Sequence, residues 1–297
     1  MLAFGLQPVI GSWLDEHIRF PMSGVGCLLT AAGLALGIFV PRMGIPAAVL
    51  VSLGNAAFHV GAGVSVIKNA GGRMSHLGVF VSTGAVGLAL GKITQLYIPI
   101  LAILAVCGIF TFFAAREGEN AEYIRFSAAP KRPAFAILAL CAVGIVLRAF
   151  GGFVMPQAPL SGSTAIILPA FAAALGKASG GFLADRLGAR RVGVISLIFA
   201  AALIALGNVF GTWALLCAVV FFNMTMPIAL GSIVSVLPDS PGLAFGIPTL
   251  SLLIGTVPIF FWRPDNGGAL SIVLCAVSIV CFALSTGNGN IKGGRHI

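Results

Sequence analysis

Few side chains in this 297-residue chain can do chemistry, and several of them are gathered in one place. The stretch GGFLADRLGARR, Gly180 to Arg191, carries Asp185, Arg186, Arg190 and Arg191, although the whole chain is 8% charged and 59% hydrophobic. A carboxylate placed where one helix ends and the next begins can accept hydrogen bonds from the unpaired N–H groups of the following helix. It also meets the positive end of that helix's dipole. The three arginines can stay at the headgroup level and pair with Asp185 or with neighbouring helix ends. Gly181 and Gly188 allow a close approach and a tight turn. A loop that serves only to orient the chain needs nothing beyond the arginines, and that reading leaves the aspartate and the two glycines unexplained.

The other candidates are isolated polar groups inside apolar runs. Arg148 sits in GIVLRAFGGF, where a cation near mid-bilayer costs roughly 2.5–3.5 kcal/mol on insertion scales. Two readings stand for it: it faces a cavity, or it snorkels toward the interface near Pro156. Lys177, eight residues before Asp185, snorkels, pairs locally or lines the same cavity. His59, in AFHVGAG, is either a helix–helix hydrogen bonder or a pocket residue able to handle a proton. Asn223 completes the candidate binding set of Arg148, His59, Lys177 and Asn223. All eight acids, Asp15, Glu16, Glu117, Glu119, Glu122, Asp185, Asp239 and Asp265, fall in loops or at helix ends. No buried carboxylate is then available as a proton carrier, and a cavity holding Arg148 and Lys177 is electropositive. That favours an anionic or zwitterionic solute over a cationic one. There is no HExxH, no paired intramembrane carboxylates and no Ser-His-Asp set that spacing supports, so an enzyme is not expected. No metal, cofactor or channel filter is expected either.

These residues must be positioned by membrane helices. The mean hydropathy is +1.08, far outside the range of soluble domains. Apolar stretches recur at lengths that match a hydrocarbon core of roughly 30 Å. Ten are expected to span: 22–40, 45–67, 77–93, 96–115, 133–155, 163–183, 192–209, 212–233, 243–261 and 268–286. The net charge of +9 is scattered through short loops rather than gathered in a patch, which argues against nucleic acid. Taking the loops alternately, one side collects Arg19, Lys68, Arg73, Arg116, Arg125, Lys131, Arg132, Arg186, Arg190, Arg191, Lys292 and Arg295; the other has Arg42, Lys92 and Arg263. The richer side, with the C-terminus, is expected to be cytoplasmic in a plasma or inner membrane. Cys27, Cys107, Cys141, Cys217, Cys275 and Cys281 lie in apolar runs and read as small packing residues without disulfides. Residues 1–12 lack a basic start and a small-x-small site, so no cleavable signal is expected. Gly33 with Gly37, and Gly87 with Gly91, form GxxxG pairs that let helices approach. Pro227, Pro248 and Pro258 permit bends within later spans.

The only long polar segment, Arg116 to Pro133, divides the chain into an N-terminal half-bundle at 1–115, a cytoplasmic linker at 116–132 and a C-terminal six-helix half-bundle at 133–297. The halves are similar. Gly11 and Asp15 of GSWLDEHIR align with Gly181 and Asp185 at an offset of 170, and Gly78 aligns with Gly246 at an offset of 168. Near-constant offsets indicate an internal duplication.

The pattern G-x-L-A-D-R-x-G-x-R-R, carried by Gly181, Asp185, Arg186, Gly188, Arg190 and Arg191, resembles the signature loop of the major facilitator superfamily. The chain resembles that family over essentially its whole length, with a weaker similarity to its fosmidomycin-resistance-like branch in GNAAFHVGAG and STGAVGLALGK. The latter also departs from the family's antiporter motif, which continues Gly-Pro where this chain has Gly91 and Lys92. The resemblance implies an all-α polytopic fold of two helical halves, with the signature loop holding the cytoplasmic gate closed in one state. Gly11 and Asp15 would be the first-half copy, although EHIRF follows Asp15 where the pattern has its Gly and basic pair. Relative to twelve helices, the first half is short: the first helix and much of the second are expected to be missing, leaving ten full spans and a partial one. The expected function is a secondary or facilitative transporter of a small organic, anionic solute, drug- or metabolite-efflux-like, working in the lipid bilayer as a monomer. The alternative is a truncated membrane remnant or accessory protein that does not transport.

Overall fold

A computed structural model of the chain describes residues 1–17, 19–114, 126, 130–262, 264 and 267–287. Most of the 116–132 linker therefore lies outside the described residues. So do Arg116, Glu117, Glu119, Glu122, Arg125, Arg263, Asp265, Lys292 and Arg295. Among the described residues every regular element is helical. That is what apolar sequence in lipid requires, because a helix satisfies its backbone groups internally where no water can.

The helices form two compact units, each assembled from separate stretches of chain. The first comprises Met1–Asn69, Thr94–Tyr123 and Leu237–Leu253. It contains α1 (Leu2–Gly5), α2 (Gln7–Glu16), α3 (Met22–Phe39), α4 (Gly44–Asn69), α6 (Tyr97–Ala114) and most of α12 (Pro241–Thr256). The second comprises Ala70–Ile93, Ile124–Val236 and Ile254–Ile297. It contains α5 (Met74–Ile93), α7 (Ala134–Val154), α8 (Thr164–Leu187), α9 (Ala189–Ala205), α10 (Gly207–Asn223), α11 (Thr225–Val236) and α13 (Gly267–Ser285).

Among the described residues nine helical stretches are long and apolar enough to cross a membrane, against the ten spans expected. The difference lies at 192–209, where α9 is 17 residues long, the short end of what spans a bilayer. The chain turns after it at Leu206 and again at Gly211, whose φ of 62° is open to glycine. Both turns fall about where the sequence separates the two spans. Ahead of the first long helix, α1 and α2 occupy the place of the partial span.

Within the first unit, α3 and α4 share a glycine seam. A Cβ at Gly33 would come within 2.8 Å of the Val51 backbone nitrogen, and one at Gly26 would run into the backbone of Phe58. The core beside this seam includes Ala56, Val60 and Ile67, none of them exposed. In the second unit Ile137, Ile145, Leu197, Ile228 and Phe282 are likewise fully buried, where α7, α9, α11 and α13 meet.

Two expectations are corrected. Gly87 and Gly91 have no atom within 4 Å of where a Cβ would stand, so this GxxxG pair makes no close helix contact in the fold. The spacing is the same as at Gly33 and Gly37, but α5 turns a different face to its neighbours. Cys107 and Cys217 are exposed rather than packed, whereas Cys27, Cys141, Cys275 and Cys281 are buried. A membrane protein's outer surface is itself apolar, so a small hydrophobe is accommodated on either side.

The contrast predicts opposite mutational outcomes. Gly33→Val should destabilise by about 1–3 kcal/mol through overpacking against backbone. Gly87→Ala should be neutral or stabilising by up to ~1 kcal/mol through helix propensity. Thermal unfolding of the detergent-solubilised variants checks both.

Candidate functional site

The signature aspartate does not cap the helix that follows it. Asp185 is still within α8, and its carboxylate accepts from the Met74 N–H at 2.7 Å and the Ser75 N–H at 3.0 Å, the first amides of α5. The physical reason is the direction of the side chain. A helical Cα–Cβ bond tilts toward the helix's own N-terminus, so Asp185 points away from α9, which starts at Ala189 immediately after Gly188. Gly188 ends α8 and begins α9 with φ at 93°, the left-handed turn its place in the motif suggested. Gly181 allows the approach of α5, since a Cβ there would lie 2.5 Å from the Met74 carbonyl oxygen. Gly78, further along α5, leaves room for the Lys177 carbonyl, 2.6 Å from where its Cβ would be. Arg186, Arg190 and Arg191 are exposed, and the Arg190 amide bonds the Gly287 carbonyl at 3.3 Å.

The first unit contains the same arrangement. Asp15 accepts from the Gly242 N–H at 2.7 Å and the Leu243 N–H at 2.9 Å, at the start of α12. Gly11 admits the Gly242 carbonyl, and Gly246 admits the backbone of Pro8. The donors Met74 and Ser75 are related to Gly242 and Leu243 by the offset of 168 that relates Gly78 to Gly246. Thus Asp15 retains the helix-capping contact although its surrounding sequence lacks the basic pair. Burial pushes the Asp15 carboxyl up, against the downward pull of the Leu243 and Gly242 amides and of Lys68. The four donors escaped sequence reasoning. Their signals were the glycine pair Gly71–Gly72 before α5 and Pro241–Gly242 at the start of α12.

The second constellation centres on Arg148, which is only 6% exposed and therefore does not snorkel. Its Nη1 donates to the Phe222 carbonyl at 3.4 Å and to Asn223 Oδ1 at 3.5 Å, and its Nη2 lies 3.0 Å from Met226 Sδ. The guanidinium stands 5.5 Å from the centre of the Phe222 ring. Nε has no hydrogen-bond partner. All these groups are neutral and the polar contacts are long or soft, so the charge is weakly compensated.

A span weakened by proline creates this setting. Pro227 has no N–H to give the carbonyl of Asn223, four residues back, and α10 passes to α11 through Met224, whose N–H bonds Phe221 at 3.2 Å. The Phe222 carbonyl accepts from Thr225 Oγ1 at 3.2 Å as well as from Arg148. Asn223 Nδ2 is held by the Val219 carbonyl at 2.8 Å, which turns Oδ1 toward Arg148. Gly176 of α8 lies against Val220 and Asn223. The next residue, Lys177, is half-buried and follows directly on this contact. Sequence reasoning missed Phe222 and Met226, because nothing in an apolar side chain announces that it will face a cation.

The structure thus brings Arg148, Asn223 and Lys177 into one region of the second unit. His59 belongs to the first unit; it is half-buried, with Nδ1 3.0 Å from the Asn55 carbonyl and its ring edge-on to Phe58. No cluster of three or more His, Cys, Asp or Glu able to hold a metal occurs among the described residues. A pocket in the second unit lined by Phe153, Thr256, Ile259 and Phe260 offers one hydroxyl and no charge, so it cannot orient an ion.

No protein-family model matches the chain, and no curated protein does. Solved structures do. One is the major facilitator superfamily transporter FucP in the outward conformation, at 14% identity over 96% of this chain and 88% of that one, with a TM-score of 0.64. A variant of the E. coli fucose:proton symporter FucP matches at 12% identity over the same shares, with a TM-score of 0.68. The human organic anion transporter MFSD10 (TETRAN) matches at 13% identity over 96% of this chain and 81% of that one, with a TM-score of 0.71. The fold of this chain is therefore that of the major facilitator superfamily transporters.

Replacing Asp185 by Ala should cost about 0.5–2 kcal/mol, the usual worth of a helix N-cap, and so should Asp15→Ala. Because the two caps lie in different units, their effects should add. Amide hydrogen exchange should speed up at Met74 and Ser75 in the first variant and at Gly242 and Leu243 in the second, each without the other.

Proposed function

We propose that this chain is a secondary or facilitative transporter that moves a small organic anion across a cell membrane by alternating access. Arg148 is the principal binding residue, with Asn223 and Lys177 beside it. The observation that carries the reading is the buried Arg148 guanidinium, whose Nε is unpaired and whose partners are all neutral. A cation kept inside an apolar bundle is costly, and a carboxylate or phosphate oxygen is the ligand that repays it best, through short charge-assisted hydrogen bonds. Asp15 and Asp185, the acids nearest the helical cores, are engaged by helix N-termini. The fold this chain shares with structures of a sugar symporter and an organic anion transporter supports transport rather than catalysis as the activity. GNAAFHVGAG supports a place near the fosmidomycin-resistance-like branch.

In this reading the two capped helix starts act as catches of the transport cycle, and His59 is a binding or proton-handling residue. The arginine-rich loops and the C-terminus face the cytoplasm of a plasma or inner membrane, and one chain suffices for transport. Labelling of single cysteines placed beside Arg191 and beside Arg42 should show access from opposite sides.

The direct test is thermal stabilisation of the purified protein by succinate and by inorganic phosphate, followed by uptake of the stabilising anion into proteoliposomes. Arg148→Ala should weaken uptake about ten- to a hundredfold, the loss expected for a buried charged hydrogen bond. Uptake unchanged in that variant would show that Arg148 does not bind the solute.

A further inference from the structure

We propose that Met226 is a site of reversible oxidation whose sulfoxide oxygen takes hold of Arg148 and weakens the binding of the solute anion. The proposal rests on the anion-binding reading above and adds a control of that site. Arg148 Nη2 donates to Met226 Sδ at 3.0 Å, and a thioether sulfur is only a weak acceptor. The guanidinium's other bonds are long, at 3.4 Å to the Phe222 carbonyl and 3.5 Å to Asn223 Oδ1, and Nε has no partner. A change that turned this sulfur into a strong acceptor would therefore claim the arginine.

Oxidation by hydrogen peroxide makes that change. A sulfur lone pair attacks one peroxide oxygen, an S–O bond forms and the O–O bond breaks; the departing oxygen leaves with both protons as water. Sulfur loses two electrons and peroxide gains them. The new S–O bond is strongly dipolar with its negative end on oxygen, and the flexible methionine side chain lets that oxygen turn toward Nη2. The sulfoxide carries no net charge, so it competes with an anion for the guanidinium without neutralising it. Position also sets Met226 apart. Of the seven methionines, Met22, Met74, Met155 and Met224 are buried and Met1 and Met43 are exposed. Met226 is half-buried, open to a molecule as small as peroxide and in contact with a cation.

The experiment treats the purified protein with hydrogen peroxide and maps the added oxygen by peptide mass spectrometry. Met226 should be converted while Met22, Met74, Met155 and Met224 are not; Met226 left unmodified when Met43 is fully converted overturns the proposal. Thermal stabilisation by succinate, and separately by inorganic phosphate, is then titrated. For the anion that stabilises the untreated protein, the half-effective concentration should rise about tenfold after oxidation. It should return after treatment with methionine sulfoxide reductases of both stereochemical classes and dithiothreitol. In Met226→Leu, peroxide should leave the variant's own titration where it was. Full conversion of Met226 with no change in the titration overturns the proposal.

A third arm needs no anion. Because the sulfoxide gives Arg148 a better acceptor, peroxide should raise the melting temperature of the anion-free protein by about 2 °C relative to treated Met226→Leu, and this gain should vanish in Arg148→Gln. A fall in its place, or a gain that persists in Arg148→Gln, shows that the sulfoxide is not held by the arginine and overturns the proposal. If neither anion stabilises the untreated protein, the anion reading fails, and this arm still decides whether oxidised Met226 holds Arg148.

Discussion

Both units depend on one interaction, a carboxylate placed over the first amides of a helix far away in sequence. The start of a helix leaves backbone N–H groups without partners, and within or beside a membrane they cannot all be left to water. Asp185 satisfies two of them at α5, 111 and 110 residues away, and Asp15 satisfies two at α12, 227 and 228 residues away. Neither contact is possible unless the backbones come close, which is why glycine stands at Gly181 and Gly78 in one unit and at Gly11 and Gly246 in the other. The composition of the units follows: α5 is grouped with the segments after residue 123, and Leu237–Leu253 with the first helices. A carboxylate so engaged has both oxygens held at a helix start.

Arg148 presents the opposite situation, a charge that the fold buries and does not neutralise. The turn between α10 and α11 makes this tolerable, because the Phe222 carbonyl there accepts from both Thr225 Oγ1 and the guanidinium. The compensation is partial: Nε is left over. Strain of this kind, localised at one polar spot in an apolar bundle, is where a solute can contribute most binding energy. The neutral partners also leave easily, since bonds of 3.4 and 3.5 Å are weak beside an ionic hydrogen bond.

Much of this was legible in the residues. Hydropathy placed the helices to within a few residues, because bilayer thickness sets a span length that composition alone reveals. The duplication was visible as near-constant offsets, and Gly188 could be recognised as a turn residue from its place between two helices. What could not be read was the partner of any group. Asp185 was expected to serve α9, its neighbour in sequence, and it serves α5 instead, because a helical side chain points back along its own helix. Gly33 and Gly87 begin the same motif, yet only the first lies in a helix seam. Which face of a uniformly apolar helix is buried has no signature in the pattern, since lipid and protein interior are alike to it.

By itself, then, the sequence determined that the chain is a set of membrane helices, with arginines at loop ends and a few polar groups within. Those properties follow from composition and local spacing, which act along the chain. The tertiary structure alone decided which helix each aspartate caps, which glycines are crossings, and that Arg148 lies among Phe222, Asn223 and Met226. Those are choices among distant partners of nearly equal hydrophobicity. They are settled by close packing and by the direction of side chains, neither of which a linear pattern contains.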